Sequence, residues 1–346
     1  MRTYAVRRFL QSIPLLFVIS IILFALMYSI GDPLAIVMNV PRRPSGQQLE
    51  QAARRMGLDQ PIPVQYVYWL IGNDWTYVDV NGDGTTDEQV RGTRRGILRG
   101  DLGTSMVTRQ PVQDRIGERL TNTLILMVPA YLLILMVSFV LGLISALRQY
   151  TLLDSILSTL AFVFYSMPIF MISLGMILIF AVAFRNWGLP YLPIAGMGRP
   201  GEARTIANLL PYMIMPLISL TLISAAAYMR YVRANVLEII NQDYVRTARA
   251  KGLSERRVLS IHVLRNAALP LVTIIGLDLP FLLGGAIVTE SIFAWPGMGL
   301  LFIESLERSD YPVLMAMLMM LAVFVVLSQL ITDLLYSVLD PRIRLS

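Results

Sequence analysis

Asn122-Thr-Leu-Ile-Leu-Met-Val-Pro-Ala-Tyr-Leu-Leu-Ile-Leu-Met-Val-Ser-Phe-Val-Leu-Gly-Leu-Ile-Ser-Ala-Leu147 decides the fold class. The stretch holds no charged side chain and exceeds the ~20 apolar residues that cross hydrocarbon, where a backbone must satisfy its own N–H and C=O groups. Five more stretches share that character: Phe9–Ile30 before it, then Ser155–Phe184, Thr205–Met229, Asn266–Thr289 and Tyr311–Thr332. Only the fifth in chain order contains a charge, Asp278. Across 346 residues, 55% are hydrophobic and 15% charged, with a mean hydropathy of +0.62. A soluble chain carries nearer a quarter charged residues. The reading is an all-α polytopic membrane protein with six transmembrane helices.

The distribution of basic residues orients those spans. With the N-terminus inside, the segments on the cytoplasmic side hold fourteen Arg and Lys, and the two short outside loops hold four (Arg185, Arg199, Arg204, Arg308). Short loops rich in Arg and Lys stay inside, whereas long segments cross regardless of charge. The long segment between the first two spans therefore has no say. Arg2, Arg7 and Arg8 precede the first apolar run as in a signal peptide. That run is too long for a signal h-region and no small-residue cleavage pattern follows, so an uncleaved span is expected. Residues 1–31 form the N-terminal transmembrane helix, 32–120 a small extracytoplasmic insertion, and 121–346 a five-helix core with a cytoplasmic loop at 232–265. In the insertion, Ser45 with Gln48 three residues on predicts a capped helix, ended by Gly57 and Pro61.

Several chemistries are excluded. The chain has no cysteine, one histidine (His262) and one lysine (Lys251), which leaves no disulfide, thiol nucleophile or zinc site. Lys251 follows Ala250, so no Gly-Lys-Ser/Thr phosphate loop exists and ATP hydrolysis must reside elsewhere. The net charge of +6 lies at membrane-flanking positions with no aromatic interleaving, which argues against nucleic acid.

The cytoplasmic loop is the most informative segment. Val236, Ile239, Ile240, Tyr244 and Ala248 recur at helical spacing. Gly252 suits the positive φ of a helix end, and Ser254 suits the cap of a second helix bearing Val258, Ile261 and Leu264 on one face. The result is a basic helix–turn–helix elbow. From spacing alone it is either a docking lever or a loop that sets topology.

Tyr244-Val-Arg-Thr-Ala-Arg-Ala-Lys-Gly-Leu253, with Leu264-Arg-Asn-Ala267, resembles the coupling loop of ATP-binding-cassette importer permeases. Ala248 and Gly252 stand at the spacing of that family's Glu-Ala-Ala-x-x-x-Gly core, while Arg246 and Thr247 replace its Glu and first Ala. Gly57-Leu-Asp-Gln-Pro-Ile-Pro-Val-Gln-Tyr66, Gly100-Asp-Leu-Gly-Thr-Ser105, Glu290-Ser-Ile-Phe-Ala-Trp-Pro-Gly-Met-Gly299 and Asp310-Tyr-Pro312 resemble the B-type permease of the dipeptide/oligopeptide/nickel branch. The resemblance implies a transmembrane subunit of a bacterial plasma-membrane importer, forming half of a path for di- or oligopeptides or, alternatively, nickel complexes or another small solute. It implies a homologous C-type permease, two ATPase subunits that bind ATP and magnesium, and an extracytoplasmic solute-binding protein. It also implies that Tyr244, Thr247, Ala248, Ala250, Lys251, Gly252, Leu253 and Ser254 meet an ATPase subunit. A gradient-driven secondary transporter is the rival, and it expects inverted repeats and more intramembrane ionisable residues than Asp278 alone.

Two further features carry open readings. Asp278 sits at a depth where a charge costs ~2.5–3.5 kcal/mol on insertion scales, so it faces a wet cavity or a protein interior. It lines the translocation path or partners the backbone freed by Pro280. Asp79, Asn81, Asp83, Thr85 and Asp87, with Gly84 at the sharp turn, resemble the start of a calcium loop. Val90 stands where such a loop needs its bidentate Glu, and an Asn/Asp/Gly-rich hairpin is the alternative.

Overall fold

The computed structural model of the chain describes residues 2–30, 45–79, 91–92, 94–199, 201–267, 274, 278, 280 and 286–339. Helices dominate throughout. Among the described residues five are long and apolar enough to cross a membrane: Arg7–Ser29, Val112–Leu147, Ile169–Asn186, Ile206–Ile240 and Tyr311–Thr332. Asn266–Thr289, expected as a sixth span, lies mostly outside the described residues.

Two compact units are present, one built of Val6–Arg119 and Leu301–Phe324, the other of Leu120–Leu300 with the two chain ends. In the first unit, α1 (Arg2–Ile30) presents Phe17, Ile22 and Leu26 about half exposed, as a lipid-facing surface requires. Ser20 Oγ lies 2.8 Å from Tyr66 Oη on α3 (Ile62–Ile71), and Phe24 stacks edge-on against Tyr66 at 5.5 Å. Between them comes α2 (Gly46–Met56). Ser45 and Gln48 form the expected reciprocal cap there, and Gly57 closes the helix at φ +70°.

In the same unit the Gly100–Ser105 and Asp310–Pro312 motifs meet. The Ser105 hydroxyl donates to Asp310 Oδ2 at 2.5 Å, the Met106 N–H to Asp310 Oδ1 at 3.0 Å, and Arg115 closes the group at 3.3 Å. Asp310 is buried, so three donors compensate its lost hydration. The link joins the insertion to the start of α12 (Tyr311–Leu339).

The second unit holds most of the core. α4 (Val112–Leu147) leads to a turn at Tyr150 and then α5 (Leu152–Ser166), which Thr151 caps by accepting from the Asp154 N–H. Here the structure departs from a single span over 155–184. Pro168 lacks an N–H and pushes Met167 out of the helical region (φ −80°, ψ 134°), so the chain breaks and restarts as α6 (Ile169–Asn186). α7 (Ile206–Ile240), capped by Thr205, packs against both pieces and runs well past Met229, where the apolar run ends. At 1.5 Å per residue it is about 50 Å long, so one continuous helix, with Pro211 and Pro216 near its start, reaches from the bundle into the elbow. α4 and α7 approach closely: a Cβ added at Gly142 would lie 2.7 Å from Val232 Cβ and 2.8 Å from the Met229 carbonyl oxygen.

A polar knot organises the far end of this unit. Glu290 in α10 (Ile287–Ile292; α8 and α9, in the elbow, follow below) is fully buried. It accepts from the Thr123 hydroxyl at 2.9 Å and from the Gly299 and Leu300 N–H groups at 2.7 and 3.2 Å in α11 (Met298–Glu307). A side chain at Gly297 would strike the Glu290 carboxylate at 2.4 Å, which explains the glycine in Trp295-Pro-Gly. Trp295, also fully buried, donates Nε1–H to the Asn122 carbonyl at 2.9 Å.

Candidate coupling site

Past Asn241 the chain reverses into α8 (Asp243–Ala250), then α9 (residues 255–267). Gly252 between them has φ +75°, the conformation the sequence anticipates for a helix end, with its N–H on the Arg249 carbonyl at 2.9 Å. Ser254 occupies the cap position of α9, but its hydroxyl accepts no capping bond. Only its carbonyl engages, taking the Arg257 and Val258 N–H groups.

The elbow buries one face and leaves the other open. Val245, Val258 and Val263 are fully buried, and with Ala248 and Ala267 they pack against Ala146, Val232 and Val236. That set corrects the expected face of the second helix. Between Val258 and Leu264 the turn widens to π geometry, so the buried residues stand five apart and Ile261 is turned out, 45% exposed. Ala248 faces inward. Tyr244, Thr247, Ala250, Lys251, Gly252 and Ser254 are exposed, and Leu253 is half-buried. Six of the eight residues expected to meet a partner thus share an open surface, and Ala248 supports it from beneath. His262 is half-buried, and its carbonyl accepts from Asn266, which also donates to the Tyr244 hydroxyl at 3.2 Å.

Two arginine–carboxylate pairs brace the elbow. Arg249 donates Nε–H and Nη2–H to Glu255 at 3.2 and 2.7 Å, strapping α8 to α9 across Gly252. The Arg249 guanidinium holds the Glu255 carboxyl below its ordinary range. At the root, Arg233 on α7 donates Nε–H and Nη2–H to Asp154 on α5 at 3.0 and 2.9 Å. Asp154 is 4% exposed and also accepts from the Ser145 hydroxyl at 2.5 Å and the Tyr150 N–H at 3.0 Å. Arg233 above all, with Ser145 and the Tyr150 amide, holds its carboxyl far below the ordinary value and outweighs the opposing effect of burial. Sequence reasoning passes over this pair. Its visible trace is Thr151-Leu-Leu-Asp154, a helix-start pattern whose acidic member does more than cap.

Asp278 is half-buried. In the calcium-like loop only Asp79 is described; Asn81, Asp83, Thr85 and Asp87 lie outside the described residues.

Comparisons agree with this architecture. Residues 138–345 match the family model of the binding-protein-dependent transport system inner membrane component, and residues 1–127 match the model of its N-terminal part. The chain is 39% identical to the oligopeptide transport system permease protein AppB of Bacillus subtilis (strain 168), over 99% of this chain and all of that one. It is 36% identical to the dipeptide transport system permease protein DppB of Escherichia coli (strain K12), over 99% of both. With the glutathione transport system permease protein GsiC of Escherichia coli O6:H1 it shares 33% identity over 99% of both. A solved chain of the MetNI methionine ABC transporter, in an inward-facing conformation, superposes on 65% of this chain and 96% of its own length (TM-score 0.50, 18% identity). That likeness concerns the fold. With family models covering both ends and relatives matched from end to end, the chain belongs to the inner membrane components of binding-protein-dependent transport systems, the permease subunits of ATP-binding-cassette importers.

Proposed function

We propose that this chain forms half of the translocation path of a peptide importer in a bacterial plasma membrane, both of its termini cytoplasmic, and that the open face of α8 and the Gly252 turn docks on an ATPase subunit. A homologous permease supplies the other half, a second ATPase subunit serves it, and an extracytoplasmic binding protein delivers the substrate. ATP and magnesium belong to the ATPase subunits, and no covalent chemistry occurs in this chain. The peptide-transport names of relatives matched over 99% of this chain support the substrate class.

The observation that carries the docking assignment is the split of the elbow into a locked face and an open one. Val245 and Ala248 fasten α8 to the end of α7, so force applied to Thr247 or Lys251 reaches the bundle without being lost in loop flexing. Alternating access then follows from movement of α7 with the elbow. Asp278 lines the path between the two permeases in this reading, where it meets the charge of a peptide terminus.

The absence of native cysteine gives a clean test. Thr247→Cys is expected to crosslink to a single cysteine in the ATPase subunit's surface groove within the assembled importer, with trapping that changes on ATP binding. Failure to crosslink in a complex that still hydrolyses ATP would overturn the docking surface. For the substrate, uptake by the reconstituted importer is expected to be competed by di- and oligopeptides and not by nickel chelates. Asp278→Asn is expected to raise the peptide KM without lowering expression; unchanged uptake kinetics remove Asp278 from the path.

A further inference from the structure

At the end of α1 remote from Arg7 and Arg8, the unit formed by Val6–Arg119 and Leu301–Phe324 has a cavity of about 110 Å³ that opens to the surface. A single water needs only ~10–15 Å³ by the same measure, so there is room for a multi-atom group. Five aromatic rings line it, Phe24 and Tyr28 from α1, Tyr68 and Trp69 from α3, and Tyr311 from the first turn of α12, with aliphatic side chains such as Met27 and Leu58 between them. Among the described residues one cation, Arg94, lines the space.

Arg94 is held in place by its backbone. Its N–H donates to Asn73 Oδ1 at 3.0 Å, and its carbonyl accepts from the Asn73 and Asp74 N–H groups at 2.9 and 3.2 Å. Gly72 and Gly96, both at positive φ, let the two strands of this turn touch: a Cβ on Gly72 would lie 2.5 Å from the Arg94 carbonyl oxygen. The guanidinium, in contrast, has no hydrogen bond or ion pair among the described residues, while Arg99 and Arg91 of the same segment are engaged with Asp74 and Tyr77. The acid that also lines the cavity, Asp101, is already committed, accepting from the Arg95 and Gly103 N–H groups at 2.9 Å each. Burial lowers the Arg94 pKa and the charge of Asp101 only partly offsets it.

A guanidinium stays charged in any protein setting and presents a fork of donors matched to phosphate. Placed half-buried among rings, with no hydrogen-bond or ion-pair partner among the described residues, it calls for an anion that carries apolar bulk. Two walls of the cavity are the ends of membrane-crossing helices, α1 and α12, so it lies at the depth where Trp and Tyr line the boundary of bilayer and water. We propose that this cavity binds the headgroup of a phospholipid, with the phosphate on the Arg94 guanidinium and the glycerol against the rings of Tyr68 and Trp69. The site would tie the insertion to the membrane surface and make its posture depend on lipid.

Native mass spectrometry of the purified importer complex, titrated with short-chain phosphatidylglycerol, tests this. Wild type is expected to retain one lipid per copy of this chain in addition to the background, with about tenfold weaker binding in Arg94→Gln. Arg94→Lys keeps the charge, loses the fork and is expected to bind several-fold more weakly, which keeps the test open if Arg94→Gln fails to assemble. Arg99→Gln should bind as wild type. Equal lipid retention in both Arg94 variants overturns the site. Inorganic phosphate binding at the same concentrations, without need of the acyl chains, would make it a free-anion site and overturn the lipid assignment. Displacement of the lipid by an equimolar dipeptide would do the same in favour of a peptide carboxylate.

Discussion

The two arginine–carboxylate pairs of the elbow use the same atoms in the same forked geometry, yet they do different work. Asp154–Arg233 is sunk at the root, with side-chain exposures of 6% and 28%, its carboxylate ringed by further donors. Arg249–Glu255 spans the tip, with side-chain exposures of 39% and 58%. Removing one partner of a buried pair strands a charge without water, whereas the exposed pair exchanges its partner for solvent at little cost. The root pair therefore fixes where α5 and α7 sit, and the tip pair only trims the angle between α8 and α9.

The difference breaks first at the root. Asp154→Ala is expected to cost about 3–5 kcal/mol, the range for an orphaned buried partner, read as a lowered denaturation midpoint and poor assembly with ATPase subunits. A midpoint equal to wild type would place the pair in water. The pH dependence has a definite sign. Because the folded state holds Asp154 below its ordinary value of 3.8, its contribution is complete above that value and is lost as pH falls towards the lower folded value. The stability gap between wild type and Asp154→Asn should thus narrow only below about pH 4.

Gly252→Val comes next. No atom lies within 4 Å of the added Cβ, so the penalty is backbone strain alone, about 1–2 kcal/mol for a side chain at positive φ. Insertion should persist while substrate-stimulated ATPase and uptake fall sharply. Gly252→Asn, which tolerates this conformation, should keep most of both. Normal stimulation in the valine variant would mean that the turn does not carry force. The smallest effect belongs to Glu255→Gln, about 0–1 kcal/mol and vanishing in high salt. A loss at Glu255 as large as that at Asp154 would erase the distinction between root and tip.

Four of the spans (Phe9–Ile30, Asn122–Leu147, Thr205–Met229 and Tyr311–Thr332) are legible because apolar runs need only be counted, and Ser45, Gln48, Gly57 and Gly252 announce the ends of the short helices α2 and α8 through local geometry. What escaped the sequence depends on distance or on small changes of period. Pro168 was visible, but it lay inside an uncharged run long enough to pass for one helix. The π turn at Val258–Leu264 moves the buried face because spacing of three and four predicts Ile261 where a spacing of five selects Val263. Asp154 and Arg233 are 79 residues apart, and Ser105 and Asp310 are 205 apart. No local pattern couples residues across such separations. The motifs around Gly100, Glu290 and Asp310 could be seen, but not that Asp310 secures one of them or that Glu290 needs the bare backbone of Gly297.

Gly142 has a mechanical consequence. With no side chain on α4 at this point, its backbone rests directly on the Val232 side chain and the Met229 carbonyl of α7, like a shaft seated in its bearing. If α8 is the entry point for force, a larger residue in place of Gly142 would have to prise the two helices apart and so alter how a displacement of α7 is passed to α4.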